Sequence, residues 1–326
     1  MSKDKLPWIE KYRPKHLSDI IGHTDKVNAL ISNVRNKELP HLLLYGPPGT
    51  GKTSVILALA REIYGDEFRK YIVEINASSE RGIDTVRGFI TNFVTAKSSK
   101  IKIVILDEAD ALTNDAQSAL RSVMEKYASQ CRFCLICNNI NKIIPALQSR
   151  CVRMVFGALD QGSIYPKIKD IAVAEGINIT DEGLKAIVRL EKDFRQILNI
   201  MQGIHYYYST LNHEIGEEQV YKYLGKPTEE HVNLIVKKLF QGETMDTIQY
   251  LNDLFHQNTI NFVDLITSLI PKILNASIGM EHIHFLIKTL SEVEVRIKQC
   301  RETEIQIAYL VSAFRAVRAT LSPSGS

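Results

Sequence analysis

The sequence predicts an α/β protein: a parallel sheet fills its first half and an all-helical region follows. Three observations predict this. Apolar runs of strand length alternate with helix-period patterns up to residue 156. A glycine-rich loop at residues 46–53 joins the first of these runs to a helix and spells G-x-x-x-x-G-K-T. After Phe156 the strand signal stops and only the 3.6-residue period remains.

The chain has 326 residues, enough for two or three domains. It is 45% hydrophobic and 24% charged, the balance of a soluble protein that buries a core. No apolar run approaches the ~18 residues of a membrane span, and residues 1–8 lack the apolar centre of a leader, so the expected setting is inside the cell. The net charge of +3 is unevenly placed, basic on balance before residue 157 and acidic after it. The first half can therefore face an anion larger than a nucleotide, although a surplus of this size is also ordinary.

Residues 6–17 hold two prolines and read as an extended segment packed against the domain behind it. Ile20-Ile21-Gly22 leads into a helix with Val27, Leu30, Ile31 and Val34 on one side. Strands are expected at 41–45, 71–76, 101–106, 132–137 and 152–156. Between them run helices marked by Val55–Ile63, Val86–Phe93 and Ala116–Tyr127. Residues 157–160 form a break, followed by helices near 163–175, 181–191, 193–208 and 216–224, then a Gly225-Lys226-Pro227 hinge. Beyond it, three helical stripes appear: Val232, Ile235, Val236 and Leu239; Ile283, Leu286, Ile287 and Leu290; Ile307, Leu310, Val311, Phe314 and Val317. Pro271 should kink a helix that starts near Ile260. Residues 322–326 read as a disordered tail.

In the loop, Gly46, Gly49 and Gly51 let successive N–H groups point inward at phosphate oxygens. The helix opening at Lys52 adds its positive end, Lys52 reaches β and γ phosphates, and the Thr53 hydroxyl holds Mg²⁺. The run Ile103-Val104-Ile105-Leu106-Asp107-Glu108 is a buried strand ending in acids. Asp107 suits the magnesium shell and Glu108 the polarisation of an attacking water. Asn138 either bonds the γ phosphate or is a polar strand terminus. Arg150, in Ser149-Arg150-Cys151, is either a surface arginine or a finger into a neighbour's nucleotide. Arg195 either touches phosphate or pairs with Asp193 or Glu191. Residues 76–87 carry small residues, a helix start, Arg81 and Arg87, which fit either phosphate-backbone contact or a capped loop. Cys131, Cys134 and Cys137 are spaced like metal ligands, but they share one strand, where residues three apart point to opposite faces.

The whole chain resembles the clamp-loader small subunits of replication factor C, a branch of the AAA+ ATPases. The resemblance rests on Leu6-Pro7-Trp8-Ile9-Glu10-Lys11-Tyr12-Arg13-Pro14, Gly46-Pro47-Pro48-Gly49-Thr50-Gly51-Lys52-Thr53 and Leu106-Asp107-Glu108-Ala109-Asp110. Phe133-Cys134-Leu135-Ile136-Cys137-Asn138 and Ile144-Pro145-Ala146-Leu147-Gln148-Ser149-Arg150-Cys151 complete it. It implies a RecA-like AAA+ P-loop domain at 1–157, a helical lid at 158–226, an all-α collar at 227–322 that joins subunits, and a tail at 323–326. It implies a nuclear protein in a ring with four other subunits, with no membrane role, that uses ATP and Mg²⁺ to load a PCNA-type sliding clamp on primer–template DNA.

By the same resemblance, Glu108, Asn138 and (in trans) Arg150 are catalytic, and Thr53 and Asp107 hold the metal. Tyr12, Arg13, Ile21, residues 46–54 through Ser54, Asp107 and Arg195 bind the nucleotide, Pro47, Pro48 and Thr50 among them. Arg81, Ile83 and Arg87 face DNA, Asn76 holds the catalytic glutamate idle, and the helix at 115–127 lies near the clamp. The chain departs from the family pattern at Lys192-Asp193-Phe194-Arg195-Gln196, where Gly-Asp-Met-Arg-Arg is usual, at Ser122, where a second arginine is usual, and at Ser78-Ser79-Glu80. The Asp-Glu-Ala-Asp string also suits a helicase, but that needs two RecA-like domains and one is present. A ring member that binds ATP without cutting it would not need Glu108.

Overall fold

The structure is a computed structural model that describes residues 6–36, 38–79, 83–98, 100–209, 213–256, 260–299 and 303–321; for 83–87 and 89 it describes the main chain alone. The expected tail lies outside these residues. The chain forms two compact units, Met1–Ile177 with Ile187–Leu211, and Asn178–Ala186 with Asn212–Ser326.

In the first unit, strands β1 (Leu42–Tyr45), β2 (Ile72–Asn76), β3 (Lys102–Asp107), β4 (Cys131–Cys137) and β5 (Val152–Val155) form one sheet in the order β2-β3-β4-β1-β5. Every pairing is parallel, with Leu42 opposite both Cys134 and Val152, and Asn76 opposite Asp107. Parallel neighbours need crossovers, and helices supply them. Helices α1 (Trp8–Lys11) and α2 (Thr24–Arg35) precede β1; the crossovers are α3 (Lys52–Tyr64) with α4 (Phe68–Tyr71), α5 (Ile83–Thr95), α6 (Asn114–Lys126) and α7 (Pro145–Gln148).

Alternation along the strands builds two cores. Leu43, Val104, Leu106, Phe133 and Leu135 pack with Ile90 of α5 and Leu120 and Met124 of α6. Leu42, Leu44, Ile103, Ile105 and Ile136 pack with α3 and with Val27 and Leu30 of α2. Cys131 and Cys137 join the first core and Cys134 the second, so the three thiols do not converge. Burial pushes the Cys131 and Cys137 thiols up to about 12, which keeps them protonated.

Two expectations are corrected here. Residues 8–11 are helical rather than extended: Pro7 supplies a fixed φ, and its carbonyl accepts the Glu10 and Lys11 N–H groups, both at 2.9 Å. The fifth strand is not a buried apolar run. It is an edge, with Val152 and Val155 nearly half exposed.

The unit also holds α8 (Gln161–Ala174) and α10 (Phe194–Ser209); α9 (Asp181–Leu190) divides between the units. The second unit continues with α11 (Glu217–Leu224), α12 (Glu229–Gln241), α13 (Thr244–His256), α14 (Phe262–Leu274), α15 (Met280–Gln299) and α16 (Thr303–Leu321). Its core gathers the three expected stripes, with Phe240 set edge-on against Phe314 at 5.0 Å. Helix α14 continues through Pro271 to Leu274. Among the described residues no helix is long and apolar enough to cross a membrane.

Candidate nucleotide-binding site

Ligands of parallel sheets bind beyond the carboxyl ends of the strands. Here the ends of β1, β3 and β4 bring together residues far apart in sequence. Gly46 turns the chain out of β1 at φ +143°, and a Cβ on it would lie 2.0 Å from the Phe156 carbonyl oxygen. Only glycine lets the loop pass so close to the end of β5. The loop closes through the Thr50 hydroxyl, which donates to the Pro47 carbonyl at 3.0 Å. Gly51 then starts α3.

Lys52 is buried, 7% exposed. Its ammonium donates to the Gly46 carbonyl at 2.8 Å, the Pro47 carbonyl at 2.7 Å and Asn138 Oδ1 at 3.1 Å. Burial lowers its pKa, Asp107 works against that shift, and the charge of Arg195 adds to it. The Thr53 hydroxyl donates to Asp107 Oδ2 at 2.8 Å, and the other Asp107 oxygen accepts the Glu108 N–H at 2.8 Å. Glu108 sits at φ +54°, a left-handed conformation that costs a non-glycine residue about 1 kcal/mol or more. That turn ends the strand and leaves Glu108 exposed at the mouth of the cavity.

The opposite wall comes from the N-terminal segment and α10. Tyr12, Arg13 and Ile21 line the cavity with Arg195, as do Pro48, Gly49, Gly51, Ser54 and Asn138. Helix α1 is tied down: the Trp8 N–H donates to Gln202 Oε1 at 3.1 Å and the Trp8 ring lies 5.7 Å from that of His205. The Tyr12 hydroxyl donates to Glu175, which Lys11 pairs at 2.7 Å. Burial and then Glu175 raise the Tyr12 pKa, so the phenol stays a donor.

Most of the residues singled out in the sequence thus surround one cavity. Gly46 and Pro47 serve it by holding Lys52. Arg150 does not line it. It is exposed, bonds the Ala146 carbonyl at 2.7 Å and pairs with Glu125 of α6. Asn76 Oδ1 accepts the Ser78 N–H at 2.9 Å and its hydroxyl at 2.7 Å. Arg81 lies outside the described residues, and so do the side chains of Ile83 and Arg87 on α5.

Ile9, Ile20, Leu159, Phe194 and Leu198 also line the cavity, although no phosphate-binding motif contains them. Helical spacing carried part of the signal. Ile9 lies three residues before Tyr12, and Leu198 three after Arg195, which puts each pair on one face.

Residues 42–158 match the family described as ATPase family associated with various cellular activities (AAA). The chain is 41% identical to "Replication factor C subunit 3" of Oryza sativa subsp. japonica over 97% of its own length and 88% of that protein's. It is 39% identical to "Replication factor C subunit 5" of Homo sapiens, covering 96% of this chain and 92% of that protein. With "Replication factor C subunit 3" of Saccharomyces cerevisiae the identity is 37%, over 97% and 94%. Among solved structures, the RuvB Holliday junction branch migration motor of Thermotoga maritima superposes with a TM-score of 0.54 over 79% of this chain and 91% of that one. At 18% identity that likeness speaks for the fold alone.

Proposed function

The chain belongs to the replication factor C subunits of the AAA ATPases, and we propose that it is an ATP-hydrolysing subunit of a clamp loader. The observation that carries the reading is the pair of contacts that joins three strand ends at the loop: Lys52 to Asn138, and Thr53 to Asp107.

In this reading ATP enters with its phosphates on the loop N–H groups and its base against Tyr12, Arg13 and Ile21. Lys52 exchanges its carbonyl partners for the β and γ phosphates. Glu108 takes the proton of the attacking water, and Asn138 orients the γ phosphate or that water. Arg195 adds a charge from α10. A hydroxyl and a carboxylate 2.8 Å apart are the hard oxygen donors that suit Mg²⁺, and Thr53 and Asp107 would hold it. Bound there, the ion neutralises charge on the phosphates. Arg150 acts on the nucleotide of an adjacent subunit.

The proposal includes a nuclear ring with four related subunits and the three-part division at residues 157 and 226. It includes a PCNA-type clamp as cargo and primer–template DNA bound through Arg81, Ile83 and Arg87. What supports it is the family membership together with the basic balance of the first half.

The test is turnover in a reconstituted ring in which only this subunit's site is functional. ATP hydrolysis that rises with clamp and primed DNA is expected. Full-speed hydrolysis by the isolated chain, indifferent to both, would overturn the reading.

A further inference from the structure

The phosphate loop touches a carboxylate that its own motif does not contain. Asp193 directly precedes α10, and a Cβ placed on Gly49 would lie 1.7 Å from Asp193 Oδ1 and 2.7 Å from Oδ2. Both carboxyl oxygens therefore lie against the loop backbone at its fourth position. Gly49 has φ +70°, a conformation that favours glycine, and a side chain there would push the Asp193 carboxylate aside.

Asp193 has a second contact. Its Oδ1 accepts the Arg195 N–H at 2.8 Å, and its carbonyl accepts the Ile197 N–H at 3.0 Å. The side chain is the N-terminal cap of the helix that carries Arg195. One carboxyl group thus rests on the phosphate loop and sets the start of the helix that brings a positive charge to the cavity. Lys52, the loop's own cation, is committed to Gly46, Pro47 and Asn138.

A polyphosphate cradled by this loop brings negative charge within a few ångströms of that carboxylate, and like charges at such range in a partly buried site repel strongly. The repulsion grows with each phosphate. Adenosine, which carries none, does not feel it.

We propose that Asp193 is a specificity-determining residue of the nucleotide site: a like-charge gate that grades affinity by phosphate number and couples what the loop holds to the position of Arg195. The inference rests on the reading of the loop as an ATP site. It also gives α10 a reason to move: phosphate on the loop displaces the residue that caps it, and Arg195 moves with its cap.

The test uses the full chain and calorimetric titration with adenosine, ADP and ATP, without divalent cation. Asp193→Asn and Asp193→Ser both keep an oxygen that accepts the Arg195 N–H and remove the charge. Both variants are expected to bind ATP about tenfold tighter, ADP by a smaller factor and adenosine unchanged. The gain should shrink at high salt. Unaltered melting temperatures would show that the cap survives. Equal affinities in wild type and both variants, or an equal change for all three ligands, would reduce Asp193 to a helix cap and overturn the gate. If neither the wild type nor either variant bound ADP or ATP, the reading of the loop itself would fall, a result distinct from either.

Discussion

At the scale of single residues, the proposed function divides the site into groups that bind and groups that cut. Lys52 is buried, with three acceptors around its ammonium. Replacing it with alanine leaves two loop carbonyls and the Asn138 amide oxygen without their donor, and removes the charge the phosphates need. Lys52→Ala should lower ATP affinity beyond detection in an equilibrium titration. Glu108 differs, being exposed and holding none of the loop's geometry: its N–H, not its carboxylate, bonds Asp107. Glu108→Gln keeps the shape and removes the base, so ATP affinity should stay within about twofold while single-turnover hydrolysis falls 10²-fold or more. If binding and turnover fell together, Glu108 would be part of the loop's scaffold. That these residues share one cavity was legible in the sequence because the loop, the acidic strand end and the strand that precedes Asn138 are local patterns with a fixed mechanism. The placement of Asp193 on Gly49 was not, since only the folding of α10 back over the loop creates that contact.

At the scale of elements, alternation of strand and helix was readable because the central strands β1, β3 and β4 are apolar along most of their length and the crossover helices carry their own stripes. The order β2-β3-β4-β1-β5 was not, because apolar runs do not name their neighbours. Nor was the exposure of β5, which follows from its edge position and not from its composition. Helix α1 was hidden by its two flanking prolines, one of which turns out to start it. The β1–β4 contact holds one pH-sensitive feature. His41 Nδ1 accepts the Phe133 N–H at 3.0 Å, a bond that only the neutral ring can make at that nitrogen. Burial, and then the charge of Arg132, hold the His41 pKa below its usual value. A folded value below the unfolded one means that the stabilisation is present above about pH 6.5, the unfolded value, and is lost as pH falls through the folded one. Hydrogen exchange at the Phe133 amide, corrected for its intrinsic pH dependence, should therefore lose protection below pH 6.5. His41→Asn, which cannot take up a proton in this range, should flatten that loss. A cap gives a second measure on α6: Thr113 accepts the Ala116 N–H at 3.2 Å, so Thr113→Ala should cost about 1 kcal/mol in a denaturant titration.

At the scale of the whole molecule, the nucleotide cavity and its lining belong to one compact unit, and Arg150, on the same unit, points elsewhere. Its guanidinium is held by Glu125 and the Ala146 carbonyl at an exposed site. A surface pair of this kind is worth about 0–1 kcal/mol, so leaving it for a phosphate in a neighbouring subunit costs little against the charge stabilisation gained there. An arginine that completes another subunit's site leaves a specific signature. Arg150→Ala should not alter ATP affinity at this chain's own loop, measured on the isolated chain. In a ring whose only functional site is the one facing Arg150, the same substitution should slow hydrolysis by about 10³-fold, while nucleotide stays bound. Glu125→Gln frees the arginine without removing it, and should leave that neighbour's turnover intact or slightly raised. Loss of affinity at the chain's own site in Arg150→Ala, with the neighbour unaffected, would place this arginine in the service of its own fold and leave the adjacent site to be completed by some other group.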